Sequence, residues 1–306
     1  RHYEHTLPNI RGSLSNTYVR LVAPADGLSV LIRGASGTGK ERVARQIHAF
    51  SKRSAAPFVA VDCGALPREL AASELFGHKK GAFTGAVEDK SGVFAAAEHG
   101  TLFLDEIGNL NMETQVQLLR ALQEKRYRLV GGTEEMHADV RLLAATNEDL
   151  EQAISEGRFR EDLFHRLNEF PLHVPPLKDC GEDIMPLAGF LLSSANEELE
   201  KEIRGFDRDV REAFVSYPWP GNIRELKNVV RRACVLAQGD WITLKEISLP
   251  VDVSPSDNYR LDMERTEQEA IQKALEITGN DRKAAARLLG ISRSTLYLKL
   301  KKYGLI

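Results

Sequence analysis

The 306-residue sequence predicts an α/β fold: a parallel sheet covered by helices, then a helical subdomain, then an all-α C-terminal module. Three observations carry that expectation. Apolar strand-like runs alternate with helical patterns up to about Val174, as a sheet buried on both faces requires. A glycine-rich loop, residues 34–40, follows one such run and opens a helix. A second apolar run from Thr101 ends in adjacent carboxylates, Asp105 and Glu106.

Taken in order, residues 30–32, 58–61, 102–104 and 140–145 read as buried strands, because short continuous apolar runs suit a covered parallel sheet. Met112, Val116, Leu119 and Leu122 recur at helical spacing and predict the buried face of a helix. Pro171, Pro175 and Pro176 then punctuate the chain. A helical stretch follows to about Glu246, with Ile223, Leu226, Val229, Val230 and Ala233 on one stripe. Residues 248–262 contain Pro250 and Pro255, lack periodicity and read as a linker. The resulting division is 1–174 for the α/β part, 175–247 for the helical part, 248–262 for the linker and 263–306 for the last module.

Composition narrows the class. With 42% hydrophobic residues, 28% charged residues and a formal net charge of −3, the chain resembles an ordinary soluble protein. No apolar run is long enough to cross a bilayer and no signal-peptide pattern opens the chain, so a cytoplasmic protein without a membrane partner is expected. The first residue is Arg1, which suggests a fragment. Cys63, Cys180 and Cys234 are odd in number and too scattered for a zinc site, favouring reduced thiols. Charge is uneven: residues 263–306 carry nine Lys/Arg against five Asp/Glu, and from Arg282 onward there is no acidic residue. Such a basic end fits nucleic acid, although a solvated helix face explains the charge equally well.

The loop Gly34-Ala35-Ser36-Gly37-Thr38-Gly39-Lys40 has the chemistry of a phosphate cradle. Glycines let backbone N–H groups converge on phosphate oxygens, and Lys40 adds positive charge for the β- and γ-phosphates. The general pattern places Ser or Thr after the lysine as a magnesium ligand; here the residue is Glu41, which shifts Mg2+ toward Asp105 and water. Asp105 is the candidate metal ligand, and Glu106 the candidate group that orients and polarises an attacking water on ATP.

Between these two motifs lies Gly81-Ala82-Phe83-Thr84-Gly85-Ala86, an aromatic and a hydroxyl flanked by glycines. Phe83 is expected to be an exposed apolar tip on a flexible loop, suited to touching whatever a nucleotide-driven machine remodels. With this string between two ATP motifs, the chain resembles the bacterial activators of sigma-54 RNA polymerase, and the likeness extends from about Ile10 to Ile306.

The resemblance implies an AAA+ P-loop NTPase with a helical lid and a Fis-type helix-turn-helix, of a kind found in two-component systems. It implies contact of residues 81–86 (Gly81, Ala82, Phe83, Thr84, Gly85 and Ala86) with sigma-54. It makes Thr146 and Asn147 the γ-phosphate sensor, and Arg224, after the Trp219-Pro220-Gly221 turn, the lid's nucleotide reporter. It makes Arg160 and Arg166 arginine fingers. From spacing alone each of those arginines reads as a surface ion pair. Fingers acting in trans imply a ring, hexameric by analogy. Asp62 stands where the family usually has Asn; a switch that holds Glu106 and a simple strand-end cap both remain open for it. Cys180 likewise replaces a common Arg, and residues 12–30 form a shorter stretch than usual.

At the C-terminal end, Asp281 caps a helix through Ala284, Ala285, Leu288 and Leu289; Gly290 and Ile291 make the turn, and Ser292 opens a second helix. This suits a helix-turn-helix on double-stranded DNA. Arg293, Ser294, Thr295 and Tyr297 are candidates for base edges, while Arg282, Lys299, Lys301 and Lys302 are candidates for phosphates. Ala270, Ile271, Ala274 and Leu275 form a stripe that would make a dimer interface. The alternative is a related DNA-binding regulator or repressor with residual ATPase that does not contact sigma-54; a chaperone-like remodeller fits the loop but not the DNA-reading end.

Overall fold

The computed structural model describes residues 19–247, together with residues 249, 282 and 296. The chain divides into two compact units, Arg1–Ser248 and Leu249–Ile306. In the first, five parallel strands form one sheet in the order β2-β5-β8-β1-β9. They are β1 (Val30–Arg33), β2 (Phe58–Asp62), β5 (Thr101–Asp105), β8 (Arg141–Thr146) and β9 (Phe170–His173). Alternate side chains enter two cores: Leu31, Leu102, Leu104, Leu142 and Ala144 face one, and Val30, Ile32, Phe103, Leu143 and Ala145 the other. The middles of β1, β5 and β8 are therefore continuous apolar runs rather than alternating ones, with polar residues confined to the strand ends.

The helices are α1 (Lys40–Ala49), α2 (Ala71–Phe76), α3 (Val93–Ala96), α4 (Met112–Glu124), α5 (Leu150–Ser155), α6 (Glu161–Leu167), α7 (Gly181–Leu199), α8 (Arg208–Ser216) and α9 (Asn222–Leu236). Two antiparallel ribbons project from this frame. One pairs β3 (Gly77–His78) with β4 (Lys90–Ser91); the other pairs β6 (Arg126–Arg128) with β7 (Glu135–His137).

Two expectations change. The prolines from Pro171 on do not all lie outside the sheet: Pro171 sits within β9, which pairs only with β1. An edge strand tolerates the missing N–H that a central strand would not. The buried face of α4 is also turned. Met112 and Val116 are 43% and 46% exposed, while Gln115, Leu118, Leu119 and Leu122 are buried. Gln115 takes a core place because it satisfies three backbone groups: Nε2 donates to the carbonyls of Leu110 (2.7 Å) and Arg158 (3.0 Å), and Oε1 accepts the Arg160 N–H (2.9 Å).

In the lid, α7 packs on α8 and α9. Phe206, Phe214 and Trp219 fill its centre with ring centroids 5.2 Å apart, and the Trp219 indole N–H donates to the Phe214 carbonyl at 2.7 Å. Lys201 closes the end of α9 by donating to the carbonyls of Cys234, Val235 and Ala237. β10 (Gly205–Phe206) and β11 (Trp241–Ile242) add a two-residue parallel ribbon.

Candidate nucleotide-binding site

The carboxyl ends of the sheet strands bring the glycine loop, Asp105, Glu106 and Thr146 to one end of the sheet. β1 leads directly into the glycine loop, whose Gly34 N–H donates to the Thr146 carbonyl of the neighbouring strand (3.3 Å). Gly37 and Gly39 adopt φ of 78° and 89°, a region costly for residues with a Cβ. The Thr38 hydroxyl donates back to the Ala35 carbonyl (2.9 Å), tightening the turn. Lys40 is buried and its Nζ donates to the carbonyls of Gly34 (3.0 Å) and Ala35 (3.2 Å). Burial pulls its pKa below the usual lysine value, and the nearby Asp105 and Glu106 carboxylates pull it back up.

Asp62 and Asp105 are paired across β2 and β5, so three carboxylates including Glu106 gather at one edge of the loop. Asp105 Oδ1 accepts the Glu106 N–H (3.0 Å), and Asn109 Nδ2 donates to Glu106 Oε2 (3.1 Å). Glu106 itself has φ 52°, a strained conformation for a non-glycine residue, which costs on the order of 1–3 kcal/mol. The approach is permitted by Gly64, where a Cβ would lie 2.2 Å from Glu106 Oε2. Beneath these acids, burial together with Asp62, Asp105 and Glu106 pushes the Cys63 thiol up to about 12, making it an inert core group. Asp62 Oδ1 accepts the Gly64 N–H (2.9 Å), the geometry of a strand-end cap.

Thr146 is buried and its hydroxyl accepts the Glu148 N–H (3.0 Å), while Asn147 is exposed. Glu106, Thr146 and Asn147 line a cavity of about 590 Å³, with Arg68 and Arg158 also on its wall. Arg224 reaches across from α9 to donate to the Ser36 hydroxyl (3.0 Å). Glu41, by contrast, turns outward and pairs with Arg45 along α1 at 2.6 Å.

Arg160 and Arg166 are not brought to this loop by hydrogen bonding. Arg160 makes a two-pronged pair with Asp162 (2.9 and 2.6 Å), and Arg166 pairs with Glu169. Gln115 fixes the backbone from which Arg160 projects.

Residues 81–86 lie on the β3–β4 ribbon, where the Gly81 N–H donates to the Ala86 carbonyl (2.8 Å) and closes the loop. Phe83 is not the exposed tip anticipated from sequence. It is half-buried, with its ring edge-on to His78 at 4.9 Å, and His78 is in turn held to the Ser73 hydroxyl at 2.7 Å. Thr84 is exposed, and Val87 is the outward apolar residue, 76% exposed. The β6–β7 ribbon supports the loop from below. Lys79 N–H donates to the Val130 carbonyl (3.0 Å), and a Cβ on Gly131 would lie 2.7 Å from that of Ala82.

Of the DNA-facing candidates only Arg282 is described, and it is helical and exposed. Arg293, Ser294, Thr295, Tyr297, Lys299, Lys301, Lys302 and the interface stripe lie outside the described residues, as does most of the 248–262 segment. Among the described residues no helix is long and apolar enough to cross a membrane.

A parallel sheet with a glycine loop after β1, acids after β5 and a helical lid reaching back to the loop defines a P-loop domain of the AAA+ class. Residues 13–173 match the sigma-54 interaction domain family, 178–261 the AAA+ ATPase lid domain, and 262–303 the bacterial regulatory proteins of the Fis family. The transcriptional regulatory protein ZraR of Klebsiella oxytoca is 47% identical over 301 residues, which is 96% of this chain and 67% of that protein. The DNA-binding transcriptional regulator NtrC of Rhizobium meliloti is 42% identical over 315 residues, covering 90% and 65%. The crystal structure of NtrX from Brucella abortus superposes with a TM-score of 0.76 at 36% identity, covering 95% of this chain and 68% of that one. Its complex with ATP gives 0.75 at 35% identity, covering 99% and 70%. The chain thus spans about two thirds of these relatives, and it belongs to the family of sigma-54-dependent transcriptional activators with a C-terminal DNA-binding helix-turn-helix.

Proposed function

We propose that this chain binds ATP on the loop from Gly34 to Lys40 and hydrolyses it to remodel the closed complex of sigma-54 RNA polymerase. The division of labour follows the domains 1–174, 175–247 and 263–306, the last reading double-stranded DNA upstream of a promoter and pairing two chains there. Its work lies in the bacterial cytoplasm, where that DNA is.

The observation that carries this reading is the placement of residues 81–86. They sit on a ribbon that interrupts the chain between the glycine loop and the strand-end acids, so one domain holds both a phosphate cradle and a projecting contact loop. The clustered carboxylates and the strained Glu106 fit a site for a divalent cation and an activated water. Asp105 would hold that ion, which supplies charge neutralisation to the phosphates. Glu106 accepts hydrogen bonds from the attacking water and orients it. Lys40 offsets negative charge, and Arg224 ties lid position to the loop.

Arg160 and Arg166 act on the neighbouring subunit's phosphates in a ring, hexameric by analogy with the family. A fixed guanidinium there is worth ~10³–10⁵-fold in rate. ATP turnover per subunit should therefore rise with protein concentration through the range of assembly.

Thr84→Ala tests the central statement. The residue is exposed, so ATP turnover and DNA binding should stay at wild-type levels while sigma-54 capture and open-complex formation are lost. Undiminished promoter activation by that variant would overturn the reading.

A further inference from the structure

Three consecutive residues at the start of the lid helix α9 grip two consecutive residues of the phosphate loop. Asn222 Nδ2 donates to the Ser36 carbonyl (2.9 Å), the Ile223 N–H donates to the Gly37 carbonyl (2.9 Å), and Arg224 donates to the Ser36 hydroxyl (3.0 Å). The other end of the Asn222 amide is also engaged: Oδ1 accepts the N–H of Leu177, where the chain leaves the sheet for the lid (2.8 Å). The side chain is 3% exposed, its backbone adopts φ 52°, and the fit is close enough that a Cβ on Gly37 would lie 2.4 Å from the Gly221 carbonyl.

The geometry has a direct consequence for the loop. In a trans peptide the C=O and the following N–H point in opposite directions, and no peptide bond among the described residues is cis. Drawing the Ser36 and Gly37 carbonyls toward α9 therefore turns the N–H groups of Gly37 and Thr38 away from it, into the loop, where phosphate oxygens would accept them. An unconstrained glycine loop samples both orientations and loses that freedom only on binding.

We infer that Asn222 is a positioning residue for phosphate recognition: its amide fixes the direction of the Gly37 and Thr38 N–H groups and, through Leu177, joins their orientation to the position of the lid. This rests on the reading of residues 34–40 as an ATP site. The neutral amide meets the requirement at any pH, because one end donates to a carbonyl while the other accepts an N–H, whereas a carboxylate of the same shape can only accept. Coupling of this kind is reciprocal, so nucleotide on the loop must strengthen the lid contacts by the factor that the contacts strengthen nucleotide.

The test uses the 306-residue chain and ADP, which binds without turning over. Asn222→Gly keeps the positive φ but deletes the amide, and should weaken ADP on the order of tenfold in the folded protein. Because the Ser36 carbonyl and the Leu177 N–H lose their partner, the ligand-free variant should also unfold at a lower temperature, so affinity is read well below that transition. Asn222→Asp sets a carboxylate against the Ser36 carbonyl and should bind ADP more weakly still, recovering as the pH falls and the acid becomes a donor. A second measurement needs no variant: ADP should slow hydrogen exchange at the Leu177 and Ile223 amides of the wild type. Wild-type ADP affinity in Asn222→Gly, or exchange at those two amides unaltered by bound ADP, would overturn the inference. A wild-type chain that fails to bind ADP at all would instead remove the nucleotide reading beneath it.

Discussion

The two ends of the same five strands are built on opposite terms. At the carboxyl end the chain accepts strain and concentrates like charge: Glu106 stands at positive φ, Gly37 and Gly39 at φ that only glycine takes readily, and Asp62, Asp105 and Glu106 crowd together. At the amino end the buried charge is largely answered, although Arg141 Nε finds no partner among the described residues. The Arg141 guanidinium, with 0% of its side chain exposed, donates to the carbonyls of Ala23 (2.6 Å) and Val22 (2.8 Å) and pairs with Asp26 at 3.3 Å. These carbonyls close a helical turn, where a cation meets the negative end of the backbone dipole. Arg53 and His99 hold Asp139, and His48 shares a 2.9 Å hydrogen bond with the Thr101 hydroxyl. A parallel sheet thus separates its tasks by direction. Satisfied polar groups at one end let the other remain unsatisfied enough to do chemistry.

The contrast predicts opposite responses to substitution. The largest effect on turnover falls at Glu106→Gln, which should reduce ATP hydrolysis by ~10²–10⁴-fold while stability stays within about 0.5 kcal/mol. Single-turnover assays beside chemical denaturation check both halves. A variant that hydrolyses ATP normally would remove chemistry from this end of the sheet. Arg141→Met should do the reverse, costing about 3–5 kcal/mol because two buried carbonyls and Asp26 lose their partner, with ADP affinity of the folded fraction unchanged. A loss under about 1 kcal/mol would mean that water relieves those carbonyls and that the amino end is less tightly closed than its geometry implies.

What the sequence made legible follows the same division. Strands β1, β2, β5 and β8 were readable because unbroken apolar runs belong to a sheet covered on both faces. The glycine loop and the acid pair were readable because their chemistry is local. Side chains that work by joining distant segments were not. Gln115 is polar at a position that helical periodicity gives to the surface, and only its partners around Arg158 and Arg160 explain why it lies inside instead of Val116. Asn222 lies 186 positions from the Ser36 carbonyl it holds, and Arg224 beside it was the more conspicuous charge. Phe83 looked like a free tip because nothing in its own hexapeptide could cover it; the cover comes from His78 on the ribbon below. Pro171 read as a break because its place at the sheet edge depends on a strand order that local pattern does not carry.

The smallest expected effect, and the one that most sharpens the account of the amino end, concerns pH. Hydrogen bonding by His99 and Arg53 holds the Asp139 carboxyl down at about 2, below the ordinary aspartate value near 3.9 of an unfolded chain. Because the folded value is the lower one, the carboxylate contributes stability that is fully present above about pH 4 and disappears as the pH falls through about 2. The side chain is 40% exposed, so solvent screens the pair and the contribution is at most about 1 kcal/mol. Asp139→Asn keeps an acceptor for Arg53 but removes the charge. Denaturation midpoints of the two proteins should therefore differ by a small amount between about pH 5 and about pH 4, then converge toward pH 2. A difference that persists at pH 2 would assign the effect to packing around Arg53, whose guanidinium also donates to the Gly100 carbonyl (3.3 Å), rather than to charge. A difference that grows as the pH falls from about 4 to 2 would contradict the sign of the linkage.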